Sequence, residues 1–277
     1  MGIVDAQVHI WGANTPERPW PTDRHPPHRA VALGADELLG HMDEGGVDGV
    51  VLVPPSWEGD RNDLALEAAR AHPRRFAVMG RFDPDAPGAR EQVAGWRKQP
   101  GMLGMRFTFH TPALLPPLVD GRMDWLWAAA EREGVPLMVL AHHRHAHLID
   151  GVAERHPGLR LVMDHLGLRN DQKDEAAFAD LDRLLALAKR PNVAVKVTAL
   201  PSYTADSYPF RRLHPYIRRV HDAFGPRRMF WGTDWSRLPC TWRQGVTMWT
   251  EEMAFLSADD LDWIMGRGVR EWLGWTS

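Results

Sequence analysis

The residue types best suited to chemistry in this chain are imidazoles, carboxylates and cations that close short apolar runs. Gln7 and His9 sit in Asp5-Ala6-Gln7-Val8-His9, His165 follows Asp164, Lys196 interrupts a run of valines, and Asp234 follows Phe230-Trp231-Gly232-Thr233. Arg106 lies in Gly104-Met105-Arg106-Phe107, and His142 and His143 follow Pro136–Ala141. A charged or imidazole group inside or just after a buried strand needs a reason, because desolvation penalises it. A single histidine so placed is more often a satisfied core residue than a functional one. Recurrence at the same end of successive runs points instead to a shared site. Two imidazoles and a carboxylate, from His9, His165 and Asp234, can hold a divalent metal or bind and polarise a carbonyl directly. Asp234 ends an apolar strand, where desolvation is expected to raise its pKa and ready it as a proton acceptor.

These groups need a scaffold that brings strand ends together. Eight β-branched runs, Ile3–His9, Gly49–Pro54, Arg75–Phe82, Leu103–Phe107, Pro136–Ala141, Leu159–Asp164, Val193–Val197 and Met229–Gly232, are each followed by a helical pattern, as in parallel βα units. Met123, Leu126, Trp127 and Ala130 form one apolar helical stripe, and Phe178, Leu181, Leu184, Leu185 and Ala188 form another. The expected fold is an α/β, (β/α)8 TIM barrel occupying residues 1–277 as one domain, with its chemistry at the C-terminal ends of the strands. Residues two apart share a strand face, so Gln7 and His9 are expected in the barrel mouth with Asp5 deeper. The aperiodic stretch from Trp11 to Gly34 reads as a long loop after strand one, serving as a lid or pocket wall or lying inert on the surface. Trp242–Leu256 and Ala258–Trp272 read as extra closing helices.

With 33 Lys and Arg against 36 Asp and Glu, the net charge of -3 provides no basic field for nucleic acid or an anionic membrane. A small-molecule partner is expected, with homo-oligomerisation left open. The single Cys240 cannot form an internal disulfide, and the N-terminal residues show neither a basic nor an apolar targeting segment, so a cytoplasmic protein is expected. No motif places a base beside Cys240, which is not read as a nucleophile.

Five motifs in order resemble the branch of the amidohydrolase superfamily described as predicted metal-dependent TIM-barrel hydrolases. They are Asp5-Ala6-Gln7-Val8-His9-Ile10-Trp11, Gly104-Met105-Arg106-Phe107, Asp164-His165-Leu166-Gly167, Val195-Lys196-Val197-Thr198 and Gly232-Thr233-Asp234-Trp235. The branch includes sugar-acid lactonases, sulfomuconolactone hydrolase and 2-pyrone-4,6-dicarboxylate lactonase, and the resemblance spans essentially the whole chain. The family's first strand usually reads His-x-His; here Gln7 replaces the first histidine, and a carboxamide is a poor zinc ligand. The resemblance therefore implies either no required cofactor, as in the pyrone-dicarboxylate lactonase, or a weakly held divalent metal, zinc if any.

On this reading Asp234 takes a proton from water, and the water attacks the carbonyl of a lactone or similar cyclic ester held by His9 and His165, with Gln7 as an additional donor. Arg106, Lys196 and Arg237 would bind the carboxylate of a small substrate, and His142 and Tyr203 would line the pocket. The alternative is a metal-dependent decarboxylase or lyase acting on an aromatic or unsaturated carboxylic acid, with metal on His9, His142 or His143, and Asp234. A barrel that only binds a ligand is the third possibility, favoured by Gln7 alone.

Overall fold

The computed structural model of the chain describes residues 2–22 and 26–276. The strands are β1 (Val4–Val8), β2 (Gly49–Leu52), β3 (Phe76–Gly80), β4 (Met102–Thr108), β5 (Leu137–Leu140), β6 (Leu161–Met163), β7 (Val193–Thr198) and β8 (Met229–Gly232). All eight run parallel in the order β1 to β8. The barrel returns on itself where the Asp234 N–H donates to the Gln7 carbonyl at 2.9 Å. The helices between strands are α1 (Ala35–Gly45), α2 (Asp63–Ala71), α3 (Ala89–Gly95), α4 (Pro116–Val119), α5 (Asp124–Arg132), α6 (Ala146–Arg155), α7 (Asp174–Phe178), α8 (Leu181–Leu185) and α9 (His214–Phe224). After β8 come α10 (Trp242–Thr250), α11 (Ala258–Asp262), a π turn at Trp263–Arg267, and α12 (Gly268–Leu273). The eight strands are those expected; of the two closing helices expected, Trp242–Leu256 ends at Thr250 and Ala258–Trp272 is divided into α11, the π turn and α12. The stripe from Phe178 to Ala188 is divided into α7, α8 and a short 3-10 turn, but Phe178, Leu181 and Leu184 still share the buried face.

Both faces of the sheet are largely apolar because both are covered. Val4, Ala6, Val51, Ala77, Met138, Val162, Ala194 and Phe230 fill the barrel interior. Val8, Val50, Leu52, Phe76, Val139, Met163 and Trp231 pack outward in a separate cluster with the helices. The inner cluster also takes in Val269, Leu273 and Trp275, so the C-terminal helix plugs the end of the barrel remote from the strand tips. A Cβ on Gly266 would lie 2.0 Å from the Gly2 carbonyl oxygen, so that approach needs glycine.

One expectation about β1 fails. Asp5 pairs with Val50 but Val8 pairs with Leu52, so β1 spends one extra residue over this interval. The bulge shifts the alternation: Val4 and Ala6 point inward, Val8 points outward, and Gln7 and His9 face the mouth. Asp5 is not beneath them on the same face. Its carboxylate accepts from the Thr233 N–H at 2.9 Å and the Trp242 indole N–H of α10 at 3.1 Å, which ties β1 to β8 and to a helix outside the barrel. No helix among the described residues is long and apolar enough to cross a membrane.

Candidate active site

Three strand tips end in left-handed backbone that turns side chains across the mouth. His165 (φ 51°) and Leu166 (φ 54°) follow β6, Ala199 (φ 59°) follows β7, and Asp234 (φ 51°) follows β8. Such conformations cost non-glycine residues about 1–2 kcal/mol each, and they persist where packing enforces them, commonly at functional sites. Leu166 is fully buried, which provides that enforcement here.

These turns, with the β1 bulge, bring His9, His165 and Asp234 together at the floor of a pocket of about 370 Å³. His9 Nε2 is 3.1 Å from Asp234 Oδ1, and His165 Nε2 is 4.0 Å from Asp234 Oδ2. The His9 ring is fixed from behind, because its Nδ1–H donates to the Val53 carbonyl at 2.5 Å, leaving Nε2 toward the site. His165 Nδ1 lies 2.7 Å from the Thr198 hydroxyl, so its Nε2 faces Asp234. Arg237 Nε approaches Asp234 Oδ2 at 3.4 Å.

The electrostatics depart from expectation at Asp234. Burial alone would raise its carboxyl, but His9, Arg237 and His165 outweigh burial and hold it well below the ordinary carboxylate range. It is therefore an ionised carboxylate at neutral pH, a weaker base than desolvation alone would make it. His165 behaves oppositely: burial pushes its pKa from 6.5 down to about 3, so the ring is neutral in the working range.

Beneath the mouth lies a second layer of charge. Asp164, fully buried, accepts from Lys196 Nζ at 2.8 Å and from Arg106 Nε at 3.1 Å. Burial raises the Asp164 carboxyl, yet the two cations bring it below its usual range. The Lys196 ammonium also donates to Gln7 Oε1. That contact settles the carboxamide's orientation: its oxygen faces Lys196, and its NH2 faces His9 Nε2 at 3.3 Å.

The expected substrate-binding residues divide accordingly. Gln7, Arg106 and Arg237 line the pocket. Lys196 does not; its exposure is 0 %, and it acts through Asp164 and Gln7 rather than reaching a ligand. Tyr203 is also behind the wall, where its hydroxyl donates to Asn170 Oδ1 at 3.0 Å, the oxygen that also accepts from Arg237 Nη1. His142 faces His110 and is not on the pocket wall, and His143 lies toward Asp180. His110, just beyond Arg106 on the same strand tip, also lines the pocket, and His28, Trp57, Thr108 and Asn170 line it without having been singled out from the sequence. Thr198 was legible as Lys196+2 on the same strand face, whereas His28 and Asn170 sit on aperiodic loops with no spacing signal. The long loop after β1 does supply a wall, through Pro26 and His28; its residues 23–25 lie outside the described residues.

A sequence model of the amidohydrolase family matches residues 4–274. The chain belongs to the amidohydrolase family. An L-fucono-1,5-lactonase of Burkholderia ambifaria is 28% identical over 249 residues, covering 84% of this chain and 79% of that protein. Among solved structures, an amidohydrolase from Burkholderia multivorans with bound zinc superimposes with a TM-score of 0.83 at 23% identity, covering 99% of each chain. A probable 2-pyrone-4,6-dicarboxylic acid hydrolase from Acinetobacter baumannii, with citric acid bound, gives 0.79 at 18% identity over 99% of this chain and 100% of that one. These likenesses establish the (β/α)8 barrel, and family membership makes the chain a hydrolytic enzyme.

The donor set of this amidohydrolase does not fit a catalytic zinc, which ordinarily takes three protein ligands. His9 Nε2 and Asp234 Oδ1 converge at 3.1 Å, His165 Nε2 stands back at 4.0 Å from Asp234 Oδ2, and Gln7 presents an N–H at the next position because Lys196 holds its oxygen. No group of three or more His, Cys, Asp or Glu side chains able to hold a metal occurs among the described residues.

Proposed function

We propose that this amidohydrolase opens a lactone or similar cyclic ester of a small carboxylated substrate, with its own side chains supplying the catalysis. The observation that carries the reading is Asp234, an ionised carboxylate between His9 and His165 at the base of a pocket whose walls include Arg106 and Arg237. The lactonase named among its relatives supports the same reaction class.

The ester carbonyl lies against His165, whose neutral ring donates through Nε2–H when the Thr198 hydroxyl donates to Nδ1. Gln7 N–H is a second donor toward that oxygen. Water beside Asp234 gives up a proton to the carboxylate and adds to the carbonyl carbon. The ring C–O bond then breaks, and the leaving oxygen takes the proton back from Asp234. The product is an open hydroxy acid, whose carboxyl group then releases its proton to solvent at neutral pH. Arg237 and the free edge of Arg106 hold the substrate's carboxylate, a planar anion suited to guanidinium donors.

The test is a panel of sugar-acid and unsaturated δ-lactones, with acid release followed by a pH indicator and metal chelated throughout. Hydrolysis of at least one lactone, abolished in Asp234→Asn, is expected. Release of carbon dioxide from an aromatic or unsaturated acid, with every lactone inert, would replace this reading with the decarboxylase.

A further inference from the structure

A second cavity of about 510 Å³ opens from the catalytic pocket. Ser56, Arg106, Thr108 and His110 line both, so they form a shared partition rather than two separate sites. The two cavities differ in chemistry. The catalytic pocket is walled by imidazoles, guanidinium groups and a carboxylate, whereas the adjoining lobe has an apolar side made by Phe82, Phe109, Leu114, Pro117 and Met123, facing Asp60, Arg81, Asp83 and Asp85. Its residues come from the end of β4 and the loops after β2, β3 and β4, on the face of the barrel where substrate enters. Phe82 is held in place by edge-to-face contact with Trp96 at 5.3 Å, so that apolar wall is preformed.

We propose that this lobe is a substrate subsite for an apolar chain or ring, and that the preferred lactone carries an alkyl or aryl substituent reaching past Arg106 and His110. The inference rests on the lactonase reading for the identity of the reacting group, but the subsite itself rests on the cavity. Each volume lies within the roughly 300–1,000 Å³ typical of ligand pockets. A small polyhydroxylated ring would occupy the catalytic pocket alone and leave the apolar lobe wet. An attached chain would displace that water and bury its own surface against Phe109, Leu114 and Met123.

The probe is the 4-hydroxyalkanoate series from five to twelve carbons, the ring-opened products of 4-alkyl lactones, with binding measured by titration calorimetry in the intact enzyme. Affinity is expected to rise about threefold per methylene until the lobe is filled. Ala113 lines the lobe at an exposed position remote from Asp234, so Ala113→Trp should fill it without touching the catalytic groups. In that variant the chain-length dependence should flatten while affinity for the five-carbon acid stays within about twofold. Affinity independent of chain length in the wild type, or equal slopes in both proteins, would overturn the subsite. Turnover of the lactone panel above together with the matching 4-alkyl lactones separates the two claims. Chain-dependent binding with no lactone hydrolysed leaves the subsite standing and removes the lactonase reading. Hydrolysis with no chain dependence in kcat/KM or in binding does the reverse.

Discussion

Asp234 meets two imidazoles and a guanidinium, each favouring its ionised form, so its charge is secured but its basicity is lowered. Asp234→Asn keeps the shape, and asparagine tolerates the left-handed backbone the position requires. The expected loss is about 10²–10⁴-fold in kcat with an unchanged circular dichroism spectrum, the usual contribution of a general base. Retention of more than about a tenth of the wild-type rate would remove Asp234 from that role. Gln7 tests the metal question. Its oxygen is committed to Lys196, so it offers a metal only N–H groups, and native protein should bind zinc weakly or not at all. Gln7→His places a better ligand beside His9 and Asp234, and calorimetric titration should show measurably tighter zinc binding. Stoichiometric tight binding by the native protein, unimproved by the substitution, would show that the remaining donors suffice.

At the level of elements, the β1 bulge and the loop that follows β1 decide what the pocket contains. Without the extra residue, Val4 and Ala6 could not point into the barrel while Gln7 and His9 also face the mouth. The loop is tethered by Arg18, whose Nε donates to buried Glu58 at 2.6 Å and whose Nη1 and Nη2 grip Asp63 at 2.8 and 2.7 Å. Glu58 in turn accepts from the Gly12 N–H. Arg18→Met should therefore loosen the wall that carries His28 while leaving the strand-borne groups in place. The expected result is a rise in KM of about threefold or more with kcat within about twofold, since positioning of substrate is lost but chemistry is not. An equal fall in kcat with unchanged KM would show that the loop does more than position.

The whole molecule carries these choices as a pH dependence of stability. Unfolded His165 titrates near 6.5 and folded His165 near 3, so below 6.5 the unfolded chain gains a proton that the folded chain refuses. Stability falls with pH across that window, by up to about 1.4 kcal/mol per unit from this one group. Asp234, held low, keeps its contribution down to about pH 3.8 and loses it as pH falls from there through its folded pKa. Asp5 acts in the opposite sense, because burial raises it to about 7 against the donors from Thr233, Gln7 and Trp242, and its effect favours the folded state as pH falls from 7 toward 3.8. Comparison with His165→Asn isolates the histidine. Between pH 6.5 and 5, wild-type stability in urea should decline relative to the variant's by about 1–2 kcal/mol. Parallel curves would mean that His165 is solvated in the folded protein.

The amino-acid sequence by itself determined the barrel, because eight apolar runs alternating with amphipathic stripes admit few other topologies. It also marked His9, His165, Asp234, Arg106 and Arg237 as groups at one rim, since polar residues closing buried strands are conspicuous. Only the tertiary structure decided which of them meet a ligand. Lys196 and Tyr203 have the same sequence signature as Arg106 and Arg237, yet they are turned behind the wall by the barrel's own cross-section, a relation between strands that no local spacing encodes. The Asp5 misplacement has a similar origin: a one-residue bulge depends on how β1 pairs with β2, and alternation within β1 alone cannot reveal it. The pKa of Asp234 followed the same rule, because desolvation is foreseeable from one strand, whereas the His9, Arg237 and His165 side chains that reverse it arrive from three separate loops and strands.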